Sequence, residues 1–167
     1  DLVIPLFSGE QITSLQFIKP DGNKRMLGGG KIKGCFDYIG EYNSNDNLVL
    51  LCEGYATGVT IHQATSQTVV VAFNAGNLIP VIKSLAITHP KLKLIIAADN
   101  DHQNKVNIGL EKGKLASGAF GLPLEYPLFH SSEIGSDFND LANTKGIEIV
   151  THQLSKYCEE VPPCQKH

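Results

Sequence analysis

Between Lys91 and Asp101 the chain reads K-L-K-L-I-I-A-A-D-N-D, and no other stretch limits the fold so tightly. Leu92 and the run Leu94 to Ala98 enclose one lysine, Lys93, and stop abruptly at Asp99-Asn100-Asp101. The run is too short for a membrane span and has no helical period. It suits a strand buried on both faces of a parallel sheet. Two carboxylates one residue apart at the carboxyl end of such a strand do nothing for packing. In open α/β sheets that edge is where ligands bind, and close acids there repel unless a cation or a proton lies between them. An acidic turn is the plain alternative for a lone Asp-x-Asp. Other acids along the chain set this one apart.

From residue 48 onward strands and helices alternate. Leu48–Cys52 reads as a second short buried strand and also ends in an acid, Glu53, followed by Gly54 and a helix over Tyr55–Ala64. Glycine at that junction allows a sharp turn. Thr68–Phe73 is β-branched and reads as a strand, and Ile79–Ile87 as a helix with Pro80 in its first turn. After the central strand come a helix over Ile108–Ala119, a short strand at Pro123–Pro127, and a helix over Phe138–Thr144 capped by Ser136 or Asp137. Gly146–Tyr157 closes the series as a strand or a helix. His62, inside a helix and without ligand-like neighbours, reads as structural. The alternation implies right-handed βαβ crossovers and an α/β domain built on a parallel sheet flanked by helices, over residues 41–157.

Residues 1–40 read differently. Apolar runs at 2–7 and 12–18 flank the turn Ser8-Gly9-Glu10, and Pro20-Asp21-Gly22 marks a second turn. A small antiparallel β meander is expected, ending in C-F-D-Y-I-G. Polar, Asn-rich residues 41–47 serve as the connector to the second part, and residues 158–167 as a polar tail.

The formal net charge of −3 argues against a protein that grips nucleic acid over its whole surface. The charge is nevertheless uneven: Lys19, Lys24, Arg25, Lys31 and Lys33 face only Asp21 between residues 19 and 33. Gly28-Gly29-Gly30 lies among them, but G-G-G-K-I-K-G lacks the Walker spacing. Lys24, Arg25, Lys31 and Lys33 around that hinge suit a nucleic-acid or nucleotide phosphate, and they equally suit a solvated basic turn. Cys35, Cys52, Cys158 and Cys164 show no C-x-x-C spacing. Cys52 reads as a small buried hydrophobe. Cys158, Cys164 and His167 are a weak metal or disulfide signal. Reduced cysteines and a cytoplasmic setting are expected. No apolar run reaches membrane-spanning length. Position 1 is Asp and no signal peptide is visible, so the chain reads as a piece of a longer protein.

Three acidic sites thus fall after strands or at a helix start: Glu53, Asp99 with Asp101, and Asp137 with Asp140. Hard divalent cations prefer such oxygen ligands, and Mg²⁺ is usually held by one or two carboxylates plus substrate phosphates. A site of this kind serves phosphoryl or nucleotidyl transfer, with a remaining carboxylate free for proton transfer.

In order along the chain, L-V-L-L-C-E-G-Y-A-T-G, V-A-F-N-A-G-N-L, I-A-A-D-N-D and S-D-F-N-D-L-A resemble the motifs of Toprim domains. These are shared by bacterial-type primases, type IA and II topoisomerases and OLD-type nucleases. The wording is closest to primases and primase-helicases of phages and plasmids, whose preceding segment is also similar to S-L-Q-F-I-K-P-D-G-N-K-R-M-L-G-G-G-K-I-K-G. The resemblance implies a Rossmann-like Toprim fold. It implies general acid/base chemistry for Glu53 and Mg²⁺ (or Mn²⁺) binding by Asp99 and Asp101, with Glu53 beside them. Asp137 matches the first acid of the last motif, and the second falls near Asn139 or Asp140. Lys105 and Asn107, just after the D-x-D loop, are further candidates for phosphate contact or are solvated loop residues.

On that resemblance the expected activity is primer synthesis on single-stranded DNA from ribonucleoside triphosphates, with a helicase or other domains as partners and no membrane. An OLD-like nuclease using the same acids is one alternative. A non-catalytic module binding DNA or a replisome partner is another. A topoisomerase fits less well, since no tyrosine stands in a recognisable nucleophile context.

Overall fold

The computed structural model describes residues 1–42 and 48–157. Most of the connector expected over 41–47, and the tail with Cys158, Cys164 and His167, lie outside the described residues. Leu2–Ser8 (β1), Gln11–Ile18 (β2) and Lys24–Met26 (β3) form an antiparallel sheet in the order β1-β2-β3. Gly9 takes φ +62° at the first turn, a conformation that costs glycine nothing. The second turn is tied by Asp21, whose Oδ1 accepts from Asn23 N–H at 3.0 Å. Ile4 and Leu6 are buried in the same apolar cluster as the main sheet. The meander is therefore docked onto the larger unit.

Of the segment C-F-D-Y-I-G, only Phe36 pairs with the meander, through an antiparallel bridge to Phe7. Asp37–Ile39 (β4) is instead the antiparallel edge strand of a larger sheet. The reason lies in its burial. Phe36 packs into one apolar layer and Cys35 and Ile39 into the other, and only a strand covered on both faces provides two such layers.

The remainder alternates strand and helix as its composition predicts: Leu48–Cys52 (β5), Tyr55–Thr65 (α1), Val69–Val71 (β6), Leu78–Thr88 (α2), Lys93–Ala97 (β7), Ile108–Phe120 (α3) and Leu124–Glu125 (β8). Phe138–Lys145 (α4) and Ile147–Gln153 (α5) follow, so the closing segment is helical. The larger sheet has the order β4-β6-β5-β7-β8, with β6, β5, β7 and β8 parallel. Its middle strand is β5, and β7 lies beside it. The chain leaves β5 through α1 to β6, then crosses back through α2 to β7. That reversal puts the topological switch point between the carboxyl ends of β5 and β7, the crevice where open α/β sheets bind ligands.

Alternation within the strands sorts the core into two layers. Leu50, Cys52, Val69, Val71, Ile95 and Ala97 pack with α1, α4 and α5, while Val49, Leu51, Val70, Leu94 and Ile96 pack with α2 and α3. Both faces being apolar, the strands read as continuous hydrophobic runs. Glycines that weaken α3 as a helix let it approach the sheet: a Cβ on Gly113 would lie 2.6 Å from Ala98 Cβ. No helix among the described residues is long and apolar enough to cross a membrane.

Candidate functional site

Glu53 leaves β5 directly at the switch point, and Gly54 turns the chain into α1 with no side-chain cap. Glu53 is only 8% exposed, and its Oε1 has no hydrogen-bond partner among the described residues. Asp99, at the end of the neighbouring strand, has a buried Oδ1 that is likewise unpartnered. Burial raises the Glu53 pKa, Asp101 and Asp137 add to it, and the Asp99 backbone N–H opposes it. Burial also raises Asp99, together with Glu53, Asp137 and Asp101, while Lys24 pulls it down. Two neighbouring carboxyl groups are thus held where neither ionises as readily as in water.

Asp101 is fixed from both sides. Its backbone N–H donates to Asn107 Oδ1 at 2.8 Å, and its Oδ2 accepts from Gly109 N–H at 3.1 Å, in the first turn of α3. A Cβ on Gly109 would stand 2.8 Å from Asp99 Cβ, so glycine is required for this helix to start against the acid loop. Asn107 caps α3, accepting from Leu110 N–H, and its amide is engaged within the protein. It is a loop anchor in this structure. Lys105 is exposed in the same loop.

The last motif reaches the site through α4. Asp137 is its N-cap, with Oδ1 accepting from Asp140 N–H at 2.8 Å and Oδ2 accepting from the Thr57 hydroxyl at 2.7 Å. Thr57 comes from the first turn of α1, so this bond joins the first and last motifs. Asn139 is drawn to α1, where its Oδ1 accepts from Thr60 Oγ1 at 3.1 Å. Asp140 goes the other way: its Oδ2 accepts from Ser136 N–H at 2.9 Å. It lines a cleft of about 250 Å³ with Asp101, Gln103, Asn104 and Ser136.

The basic residues of the front segment separate. Lys24 alone reaches the acids: its Nζ lies beside Gly54, and its charge acts on Asp99 and Cys52. The Arg25 guanidinium stacks over the Phe17 ring, 4.6 Å from its centre. Lys24 and Arg25 also line a cleft of about 270 Å³ with Phe73 and Asn74. Lys31 Nζ donates to Ser8 Oγ at 3.2 Å, and Lys33 borders a separate groove with Asn74 and Pro80. A cavity of about 680 Å³ lies away from Glu53 and Asp99, between Phe7, Phe36, Tyr38, Tyr42 and the end of α2.

Two participants escape a reading by motif. Thr57 was discoverable only as a hydroxyl in the first helical turn after Glu53-Gly54. Asn100, between the two aspartates, carries no charge to draw attention.

Among the described residues, no three His, Cys, Asp or Glu side chains are gathered into a ready-made metal cage. Mg²⁺ asks for less, since one or two carboxylates suffice when substrate phosphates and waters complete its shell. Glu53 Oε1 and Asp99 Oδ1 are hard, buried oxygens lacking partners, so the donor set fits that ion.

A doubly wound sheet with an acidic centre at its switch point defines the class, an α/β domain whose ligand site lies at the carboxyl edge of its strands. The Toprim domain family matches residues 48–148, and the chain belongs to that family. A DNA primase TraC of Escherichia coli is 34% identical over 139 residues, covering 78% of this chain and 10% of the relative. A second Escherichia coli DNA primase TraC is 32% identical over 131 residues, covering 75% and 12%. The chain therefore spans about a tenth of the length of these relatives. Among solved structures, one similar chain belongs to the structure of bacteriophage T7 lagging-strand DNA polymerase interacting with primase domains of two gp4 subunits bound to an RNA/DNA hybrid and dTTP. It has a TM-score of 0.58 and 15% identity, over 93% of this chain and 77% of that one. That likeness concerns the fold.

Proposed function

We propose that this chain is the Toprim catalytic segment of a DNA primase, making RNA primers on single-stranded DNA from ribonucleoside triphosphates. The observation that carries the reading is the pair of unpartnered buried oxygens, Glu53 Oε1 and Asp99 Oδ1, at the switch point. The TraC relatives, named as primases, supply the direction of the chemistry.

Asp99 and Asp101 would hold Mg²⁺ or Mn²⁺, with Glu53 beside them; the ion, when bound, neutralises triphosphate charge. Of the two candidates in the last motif, Asp140 is the better further ligand, since it shares a cleft with Asp101 while Asn139 is bonded to α1. Asp137 braces the site through Thr57 and supplies negative charge. Glu53, with its proton affinity raised toward neutrality, suits accepting a proton from an attacking hydroxyl. Lys24 is placed to meet a phosphate. Arg25, Lys31, Lys33 and Lys105 would contribute at most to a longer electrostatic track for the template. A helicase or other domains of a longer chain would provide the remaining grip.

The test is a titration of Mn²⁺ into wild type and the Asp99→Ala/Asp101→Ala variant, followed by primer synthesis with labelled ribonucleotides on single-stranded DNA. Binding lost in the variant, with primers made only by wild type, is the expected result. Equal binding by both proteins would sink the metal-site reading.

A further inference from the structure

We infer that Asn100 and Asn107 act as one positioning pair that sets the two aspartates of the D-x-D loop for a divalent cation. The inference rests on the metal-site reading above and assigns a task to two uncharged residues that this reading leaves unused.

The argument begins with donors and acceptors. Asp101 N–H and Leu110 N–H both point at the Asn107 side chain, at 2.8 and 3.2 Å. Backbone amides only donate, so Asn107 must turn its Oδ1 toward them. Its Nδ2 is then left to face Asn100, where it donates to Oδ1 at 2.8 Å. Asn100 must in turn present its own Nδ2 on the other side. There it donates to the Pro127 carbonyl at 2.9 Å, a group that can only accept. The chain of bonds therefore has a single consistent polarity from α3 to the exit of β8. The Asn100 backbone N–H adds a bond to the Ser136 carbonyl at 2.5 Å, which ties in the last motif. Asn100 is 8% exposed, so these bonds are made away from water, where leaving one unmade is costly.

Such a brace has a physical purpose. Asp99 and Asp101 are close to each other and to Glu53, and like charges at that spacing push apart. Among the described residues neither aspartate has a cationic partner in direct contact to restrain it, and the ion pairs there join Lys145 to Glu133 and Lys156 to Glu125. The loop between β7 and α3 is held by neutral amides instead. Neutral restraints at Asn100 and at the Asp101 N–H fix the loop without adding a side-chain charge that would compete with a cation. Residues that orient metal ligands in this way act on affinity through geometry.

The experiment compares wild type with Asn107→Ser, Asn100→Ala and the double variant. Serine keeps a good N-cap for α3 but is too short to bridge Asp101 and Asn100, so this variant stays folded if Asn100→Ala does not. Two readouts are taken: Mn²⁺ dissociation constants, and amide hydrogen exchange across residues 99–109. The expected result is a Kd weakened about 10- to 100-fold, with faster exchange confined to that segment and a cooperative unfolding transition retained by Asn107→Ser. The double variant should bind no more weakly than the worse single one. Unchanged affinity in a folded Asn107→Ser protein that still loses Mn²⁺ on Asp99→Ala/Asp101→Ala would overturn the inference. So would unchanged protection of the Asp101 amide. If instead Mn²⁺ binding is indifferent to the two aspartates, the metal-site reading falls. Exchange then decides the pair by itself: protection lost only over 99–109 upholds it as the brace of the loop, and protection retained overturns it.

Discussion

Glu53 Oε1 and Asp99 Oδ1 stand at the ends of adjacent parallel strands, buried, and no donor among the described residues satisfies either. Burial with Asp101 and Asp137 pushes Glu53 up to about 7, and burial with Glu53, Asp137 and Asp101 pushes Asp99 up to about 8. In an unfolded chain both groups titrate near about 4. Between those limits the folded protein holds more protons than the unfolded one, so its stability falls as pH rises. Without divalent metal, the unfolding free energy from urea titration should drop by about 1–3 kcal/mol from pH 5 to 8. Asp99→Asn, which cannot ionise, should flatten that slope. A wild-type stability that rises over this interval would contradict the assignment.

Two glycines of α3 predict opposite outcomes for the same substitution. A Cβ on Gly109 meets Asp99 Cβ at 2.8 Å and its carbonyl oxygen at 2.9 Å, whereas Gly118 has nothing within 4 Å. Alanine favours a helix over glycine by about 1 kcal/mol. Gly118→Ala should therefore stabilise by up to about that amount. Gly109→Ala should destabilise by about 1–3 kcal/mol through overpacking and weaken Mn²⁺ binding by displacing Asp99. Denaturant titration of the two variants side by side checks both signs.

Lys24 is the basic side chain whose charge acts on Asp99. Lys24→Ala should weaken binding of ATP with Mg²⁺ by about tenfold, as expected for one charge-assisted hydrogen bond of about 1.5 kcal/mol. Lys31→Ala, which removes only a bond to Ser8, should change it less than twofold, roughly the scatter of an exposed contact. Calorimetry on both variants separates a local contact from a general loss of positive charge. Equal losses would favour the latter.

Asn77 illustrates a motif residue with a purely architectural task. Its Nδ2 donates to the Cys35 and Ala72 carbonyls at 2.9 and 2.8 Å, and its Oδ1 accepts from Gly34 N–H at 2.7 Å. It is 3% exposed and staples the front segment to the loop after β6. Asn77→Ala should cost about 2–3 kcal/mol in unfolding free energy through the unpaired groups it leaves. The Mn²⁺ affinity of the folded fraction should stay at the wild-type value.

Several elements were legible because their causes are local. The apolar runs at Leu48–Cys52 and Leu94–Ala98 can be satisfied only by burial on both faces, and the acids that end them must then share one edge of a parallel sheet. Asp137 was readable as an N-cap from its place before Phe138, and it is one. The residues of Asp37–Ile39 show a strand that is apolar and aromatic but not which partner pairs with it, so the sequence alone puts it in the meander. A register is a long-range fact, settled here by Val69–Val71.

Sequence alone determined the alternation of strands and helices from Leu48 to Phe138, the acids at the strand ends and the Toprim motifs, since each depends on neighbours a few residues apart. Tertiary structure decided the rest. It brought Lys24 to Asp99, parted Arg25, Lys31 and Lys33 from it, turned Asn139 toward α1 and Asp140 toward Asp101, and linked Asn107 to Asn100. The physical reason is that a side chain's charge and hydrogen-bonding capacity are written in its type. Its partner is fixed only when the sheet's crossovers bring distant segments within about 3 Å of each other.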